Sequence, residues 1–288
     1  MREFFKRHPL IILVIPIGLI LYFVYFCIGW NVWVSVSDWK GLTPSYRFNG
    51  FYAYTKLFTD STFWLSLRNT LLLFAIIPIC IVLGLLLAIL MDQEGLKGSN
   101  IFRNLFLLPF TLSFVVTGTI WAWMYNPTNG IINSLFRSIG LNSLAGTWHT
   151  SQETVMLSIM IALIWQFSGY VALIFLAGIK SVSQDQINAA KLDGASNLRI
   201  YRRLIIPQLK APLTTAIVIL AMYALRSFDF IWVLTGGGPG YASHTLPILM
   251  YKETFQATNF SIGAAIGNVL LMIVLVLVIP FTYRTYRR

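Results

Sequence analysis

Residues 69–91 read NTLLLFAIIPICIVLGLLLAILM. The stretch contains no Asp, Glu, Lys or Arg, and it is as long as the run of about 20 apolar residues with which a helix crosses the hydrocarbon core of a bilayer. A helix that is apolar on every side has no face to offer water, so it predicts a membrane span. Five more segments meet the same length: Leu10–Trp30, Asn104–Tyr125, Thr154–Ala177, Pro212–Thr235 and Ser261–Tyr283. Among the six, only Pro212–Thr235 holds residues of the Asp, Glu, Lys and Arg set, namely Arg226 and Asp229. The expected fold class is all-α: a polytopic membrane protein with six transmembrane helices.

Composition agrees. Of the 288 residues, 57% are hydrophobic and 11% charged, against about 25% charged in a soluble domain. The formal charge of +11 would point to nucleic acid in a soluble protein. Here the basic residues gather at particular helix ends, so no nucleic-acid partner is expected. Arg2, Lys6 and Arg7, then Lys97 and Arg103, then Lys180, Lys191, Arg199, Arg202, Arg203 and Lys210, and finally Arg284, Arg287 and Arg288 all fall on one side of the six-span arrangement. The opposite side holds fewer: Lys40, Arg47, Lys56, Arg68, Arg137, Arg226 and Lys252. The positive-inside bias places both termini in the cytoplasm. Leu10–Trp30 exceeds the about 7–15 apolar residues of a signal peptide, so it reads as an uncleaved first helix. Cys27 and Cys80 lie in apolar runs, and His8, His149 and His244 are isolated. That pattern predicts no disulfide framework, no metal site and ordinary loop histidines. No nucleophile, base or paired carboxylates converge, so no catalytic residue is expected.

The loop between the fourth and fifth spans, residues 178–211, is long, basic and patterned. From Ser183 to Pro212 it reads SQDQINAAKLDGASNLRIYRRLIIPQLKAP. Ser183 with Gln186 predicts a capping box at a helix start. Gly194 permits a sharp turn after that helix. Ser196 is expected to cap a second helix, Asn197–Ile206, with Pro207 and Pro212 bracketing the start of the fifth span. Ala189, Ala190 and Ala195 leave room for close approach by another surface. On these features alone, an interfacial amphipathic connector fits equally well.

The run Asn188-Ala189-Ala190-Lys191-Leu192-Asp193-Gly194-Ala195, with Tyr201 and Pro207 downstream, resembles the EAA loop of ABC importer permeases. Phe63-Trp64 ahead of Asn69-Thr70, the run Arg103–Pro109, Trp121, Gly130, Ile132 and Asn133 are similar to carbohydrate importers. So are Thr235-Gly236-Gly237-Gly238-Pro239 after Asp229, Tyr251, Phe255 and Gly263-Ala264-Ala265. The chain thus resembles the maltose-transporter-like permeases. The resemblance implies a type I ABC importer permease fold in a bacterial or archaeal cytoplasmic membrane. It implies import of a sugar or sugar-like solute by alternating access. Its partners would be a second homologous permease subunit, two ABC ATPase subunits, an extracytoplasmic solute-binding protein and membrane lipid. ATP and Mg would sit on the ATPases, with no cofactor on this chain. The ATPase-docking residues would be Asn188, Ala189, Ala190, Asp193, Gly194 and Ala195. Asn188 stands where the family has Glu, which removes a carboxylate from the contact.

The resemblance also places the solute path on spans four to six. Matching positions are Gln166, Phe167 and Tyr170, then Tyr223, Ser227 and Arg226, and Asn268. Asp229 joins them because Arg226 and Asp229, three residues apart, would share one helical face. An unpaired charge at bilayer depth costs at least about 2.5–3.5 kcal/mol, so the pair either lines a watered path or is an internal ion pair. The run Gly236–Gly240 lacks a following Gly-Lys-Ser/Thr and reads as an outer turn, which leaves ATP hydrolysis to another chain. Gly263 and Gly267 predict close helix packing. Residues 1–66 are expected to form an N-terminal helix and outer loop, and residues 67–288 a five-helix core. The competing reading is an ion-coupled secondary transporter, which ordinarily needs acidic or histidine groups inside the membrane; Asp229 alone qualifies.

Overall fold

A computed structural model describes residues 9–92 and 99–286. Arg2, Lys6, Arg7, His8, Lys97, Arg287 and Arg288 lie outside the described residues. In chain order the helices are α1 (Pro9–Ser35), α2 (Tyr52–Thr59), α3 (Ser61–Leu72), α4 (Ile76–Asp92), α5 (Ser99–Thr111), α6 (Phe114–Met124) and α7 (Ile131–Ser138). They continue as α8 (Val155–Lys180), α9 (Gln184–Leu192), α10 (Asn197–Ile200), α11 (Ile206–Gln208), α12 (Lys210–Arg226), α13 (Asp229–Thr235), α14 (Leu246–Tyr251) and α15 (Phe260–Tyr286). Among the described residues the only extended pairing is an isolated bridge between Ser37 and Phe48.

Four stretches are long and apolar enough to cross a membrane unbroken: Pro16–Ser35, Ser61–Asp92, Val155–Lys180 and Phe260–Leu277. Two bent pairs bring the crossings to six. Ser61–Asp92 starts earlier than the expected Asn69. It tightens into a 3-10 turn at Leu73–Ala75, just where Pro78 lacks the N–H that would bond to Phe74. The third crossing is not one helix. Asn104–Thr111 and Phe114–Met124 meet at 104°. Pro109 weakens the last turn of α5, Ser113 turns extended with ψ 151°, and its hydroxyl accepts from the Val116 amide to start α6. The second bent pair, Asn197–Gln208 and Lys210–Arg226, meets at 65°. Beyond it the chain leaves the helix again, since α12 stops at Arg226 and α13 begins at Asp229.

The chain forms two compact units: the residues up to Phe63 with those from Leu249 onward, and Trp64–Ile248. In the first unit the last span groups with the first, because buried polar groups join them. Asn31 Nδ2 donates to Asn268 Oδ1 at 2.7 Å and to the Ala264 carbonyl at 3.1 Å. Asn268 Nδ2 donates to Ser35 Oγ and Tyr54 Oη, each at 2.9 Å. In lipid such bonds between helices contribute about 0.6–1.7 kcal/mol each. Gly267 packs beside them, where an added Cβ would sit 3.4 Å from Asn31 Nδ2, an ordinary contact distance.

In the second unit α8 is the hub. Ile159, Ala162, Leu163, Phe167, Val171, Ala172 and Phe175 are buried along it. Its neighbours approach at glycines. Gly84 of α4 lies against Val171 and Ala172, and Gly178 of α8 lies against Pro212 of α12. At Gly169 an added Cβ would run into the backbone carbonyl of Phe106 in α5. Without a hydrophobic drive between helices in lipid, such close backbone packing is a main source of association.

Gly169→Ala is expected to destabilise the fold by about 1–3 kcal/mol, the usual cost of overpacking. Gly29→Ala, whose added Cβ meets nothing within 4 Å, is expected to be neutral. Melting curves of the detergent-purified protein compare the two, and an unshifted midpoint for Gly169→Ala contradicts the packing.

Candidate functional site

The interruptions in the third and fifth crossings border two adjoining cavities. The larger, about 440 Å³, is lined by Phe114, Phe167, Tyr170, Tyr223, Arg226, Ser227 and Asp229 with apolar neighbours from α4, α8 and α12. The smaller, about 320 Å³, is lined by Phe110, Leu112, Ser113, Phe114, Val115, Gln166, Tyr223 and Asp229. Phe114, Tyr223 and Asp229 line both.

The walls are aromatic. Phe110 stacks on Tyr170 with centroids 4.0 Å apart and planes 11° apart. Tyr223 lies 4.9 Å from Phe167 and 5.6 Å from Phe114. The breaks add free polar groups among these rings. Gln166 donates from Nε2 to the Leu112 carbonyl at 3.3 Å, one of the acceptors that the bend releases. Its Oε1 is buried without a hydrogen-bond partner in the protein, which leaves an acceptor for a solute hydroxyl or water. At the second break the Phe228 amide turns back to the Arg226 carbonyl at 2.8 Å, and the Ser227 carbonyl accepts from Thr245 Oγ1 at 3.4 Å.

Arg226 and Asp229 correct the sequence reading. They do not share a helical face, because the helix ends between them. Neither forms an ion pair, unlike Lys180 and Asp92, which lie 2.7 Å apart. Both are exposed and line the larger cavity. Asn268 belongs to the other unit, where its amide is taken up by Asn31, Ser35 and Tyr54. The other residues expected on a solute path, Gln166, Phe167, Tyr170, Tyr223, Arg226, Ser227 and Asp229, come together around the two cavities. Phe110, Ser113 and Phe114 were not anticipated. Pro109 followed by a serine four residues on was the available sign of a capped restart.

The loop after α8 carries the other expected site. No residue of α9 is buried. Asn188, Ala189, Asp193 and Gly194 are exposed, and Ala190 and Ala195 half-buried. Gly194 takes φ +76°. The Ala195 amide reaches the Ala190 carbonyl at 3.0 Å and the Gly194 amide reaches Lys191 at 3.0 Å, a left-handed glycine cap. Leu192 and Leu198 flank the turn at 89% and 78% exposure. The expected side-chain caps do not form. Ser183 and Ser196 occupy the N-cap positions, but their hydroxyls make no cap bond. Gln186 instead accepts from Gln208 at 3.1 Å. The second helix runs on as α10, a π turn at Tyr201–Ile205 and α11, with Pro207 inside it. It meets α12 at 65°.

Residues 80–288 match the family described as binding-protein-dependent transport system inner membrane component. The chain belongs to this family. The permease is 50% identical over 282 residues to a probable ABC transporter permease of Pyrococcus horikoshii, covering 97% of this chain and 96% of that one. It is 38% identical over 277 residues to the xylose/arabinose import permease XacH of Haloferax volcanii, covering 95% and 86%. A solved bacterial ABC transporter that imports the acidic polysaccharide alginate shares the permease fold with a TM-score of 0.82, at 21% identity over 99% of this chain and 98% of that one.

In the permease the glycine run is a turn built from left-handed glycines, with φ of +60°, +89° and +58° at Gly236, Gly237 and Gly240. Ser243 Oγ donates to the Gly238 carbonyl at 2.7 Å, and Asn69 Nδ2 donates to the carbonyls of Ala242 and His244 at 3.0 and 2.9 Å. His244 is therefore no ordinary loop histidine; it is fully buried beneath this turn. His149 is half-buried, and burial holds its pKa below the usual histidine value.

Because Arg226 and Asp229 form no ion pair, the Arg226→Met and Asp229→Asn cycle is expected to show a coupling of at most about 1 kcal/mol, the range of solvent-exposed charges. Unfolding midpoints of the single and double variants measure it. A coupling of about 3 kcal/mol or more, the scale of a buried pair, contradicts their unpaired state.

Proposed function

We propose that this permease is one of two homologous membrane subunits of an ATP-driven importer for a sugar or sugar-like solute, working by alternating access. The observation that carries this reading is the cavity pair at the helix breaks. Stacked aromatic faces, the free Gln166 oxygen and the unpaired Arg226 and Asp229 suit a solute that presents apolar ring faces and many hydroxyls. The relative named for xylose/arabinose import supports the same solute class.

The termini and the loop of α9 face the cytoplasm, by the charge bias. An external binding protein delivers solute at the opposite side. The exposed elbow of α9, Gly194 and α10 seats on an ATPase subunit, with Asn188, Ala189, Ala190, Asp193, Gly194 and Ala195 at the contact. Two such ATPases bind ATP and Mg, close together and push the elbows, and the cavity switches sides. The ATPase's differential grip on α9 in its two states is what shifts the equilibrium. With Asn188 in place of Glu, seating depends on helix shape and the exposed Leu192 and Leu198 rather than on a carboxylate. An ion-coupled carrier is the weaker reading, since Asp229 is the only carboxylate among the residues lining the two cavities.

Purified with its co-encoded partners, the complex is expected to hydrolyse ATP faster when the right solute and binding protein are added. Gly194→Pro forces φ from +76° to about −65°, at a cost of about 3 kcal/mol or more. This variant should reach the membrane with its partners and lose the solute-stimulated hydrolysis. Normal coupled transport by Gly194→Pro defeats the docking account.

A further inference from the structure

Asp92 is the last residue of α4, and Lys180 is the last residue of α8. A carboxylate at a helix C-terminus opposes the helix dipole, so Asp92 is placed against local preference. Two residues from elsewhere in the chain offset this. Lys180 Nζ lies 2.7 Å from Asp92 Oδ1. Tyr201 Oη donates to Asp92 Oδ2, also at 2.7 Å. Both carboxylate oxygens are thus engaged by residues at the two ends of one loop. Lys180 is where the loop leaves the fourth span, and Tyr201 opens the π turn in its second helical segment. Just beyond Tyr201 on either side, Ile200, Ile205 and Leu209 are buried against the core.

The two contacts differ in strength. Lys180 is 64% exposed, whereas Asp92 is 15% exposed, and an ion pair with one partner in solvent is weak. The Tyr201 bond is charge-assisted and lies in a half-buried setting, so it is the stronger. A π turn is a frequent marker of function within a helix, and here it is the turn that the carboxylate holds. A local preference broken and then compensated from two distant points marks a residue retained for what it does to the assembly.

We propose that Asp92 is a positioning residue for coupling. It fastens the loop's second segment to the ends of the second and fourth spans. Movement of α9 then passes into those spans instead of being absorbed by bending of the loop. The inference rests on the proposed reading that an ATPase grips α9.

The test uses the complete transporter with its ATPases and binding protein. Asp92→Asn and the near-isosteric Tyr201→Phe should leave complex yield and basal hydrolysis within about twofold, and lower solute-stimulated hydrolysis and uptake about tenfold, as loss of a charge-assisted bond implies. Lys180→Met should have a smaller effect. Tyr201→Phe removes the bond outright, whereas Asp92→Asn leaves a neutral acceptor for Tyr201 and gives up the Lys180 ion pair. Because both act through one joint, the double variant Asp92→Asn/Tyr201→Phe should be no worse than the more impaired single. Stimulation of wild-type size in Tyr201→Phe and Asp92→Asn overturns the proposal. So does a lower yield with unchanged stimulation per assembled complex, which is what a purely structural bond gives. A wild-type complex with no solute-stimulated hydrolysis overturns the importer reading itself, and this inference with it.

Discussion

A peptide group that loses its helical partner inside a bilayer must find another in protein or in water. Left bare, each such group costs about 2–7 kcal/mol, and for that reason spans are unbroken helices wherever they face lipid. This chain breaks two of its crossings, at Leu112–Ser113 and at Ser227–Phe228. In each case the released groups are met locally. Gln166 takes the Leu112 carbonyl, Ser113 caps the helix that follows, and Thr245 reaches the Ser227 carbonyl. Both breaks also border the cavities. The constraint therefore ties the breaks to the cavities: irregular backbone within apolar helices survives only where a cavity or a polar side chain answers it.

The remainder of the second unit serves that arrangement. α8 presents Phe167 and Tyr170 to the larger cavity on one side and receives α4 and α5 at small residues on others. The same helix ends at Lys180, beside Asp92 and the π turn of the loop. One unbroken helix thus connects the cavity wall to the segment that the proposed function assigns to an ATPase. The first unit has its own logic. α1 shows almost wholly exposed apolar surface, as a lipid-facing helix should, and its few polar side chains are spent on the bond network with α15.

The membrane class and the approximate spans were legible because hydrophobic length is set by bilayer thickness. The residues that line the cavities were legible in part. Polar and aromatic positions in spans four and five stood out against an apolar background, and the family pattern aligned them. The break at Leu112–Ser113 was hidden, because hydropathy runs unbroken through Leu107–Thr119 and a serine raises no alarm. The break at Ser227–Phe228 was misread, since spacing alone suggested that Arg226 and Asp229 share a face. Ser183 and Ser196 met the sequence rule for caps, yet the side chains that mattered there, Gln186 and Gln208, pair across 22 positions. Asp92 gives no signal in the sequence, because its partners Lys180 and Tyr201 lie far along the chain and only the fold brings them to it.

The central claim is that both helix breaks face one watered path. Single cysteines at Ser113 and Ser227, in a chain whose Cys27 and Cys80 are replaced, can be challenged with a membrane-impermeant thiol reagent in the assembled transporter. Leu42→Cys, at a fully exposed loop site, is the positive control, and Val82→Cys, on the apolar outer face of α4, is the negative one. Labelling at both break positions, slowed by solute, is the predicted result. Break positions as inert as Val82→Cys, beside ready labelling of Leu42→Cys, would contradict the account.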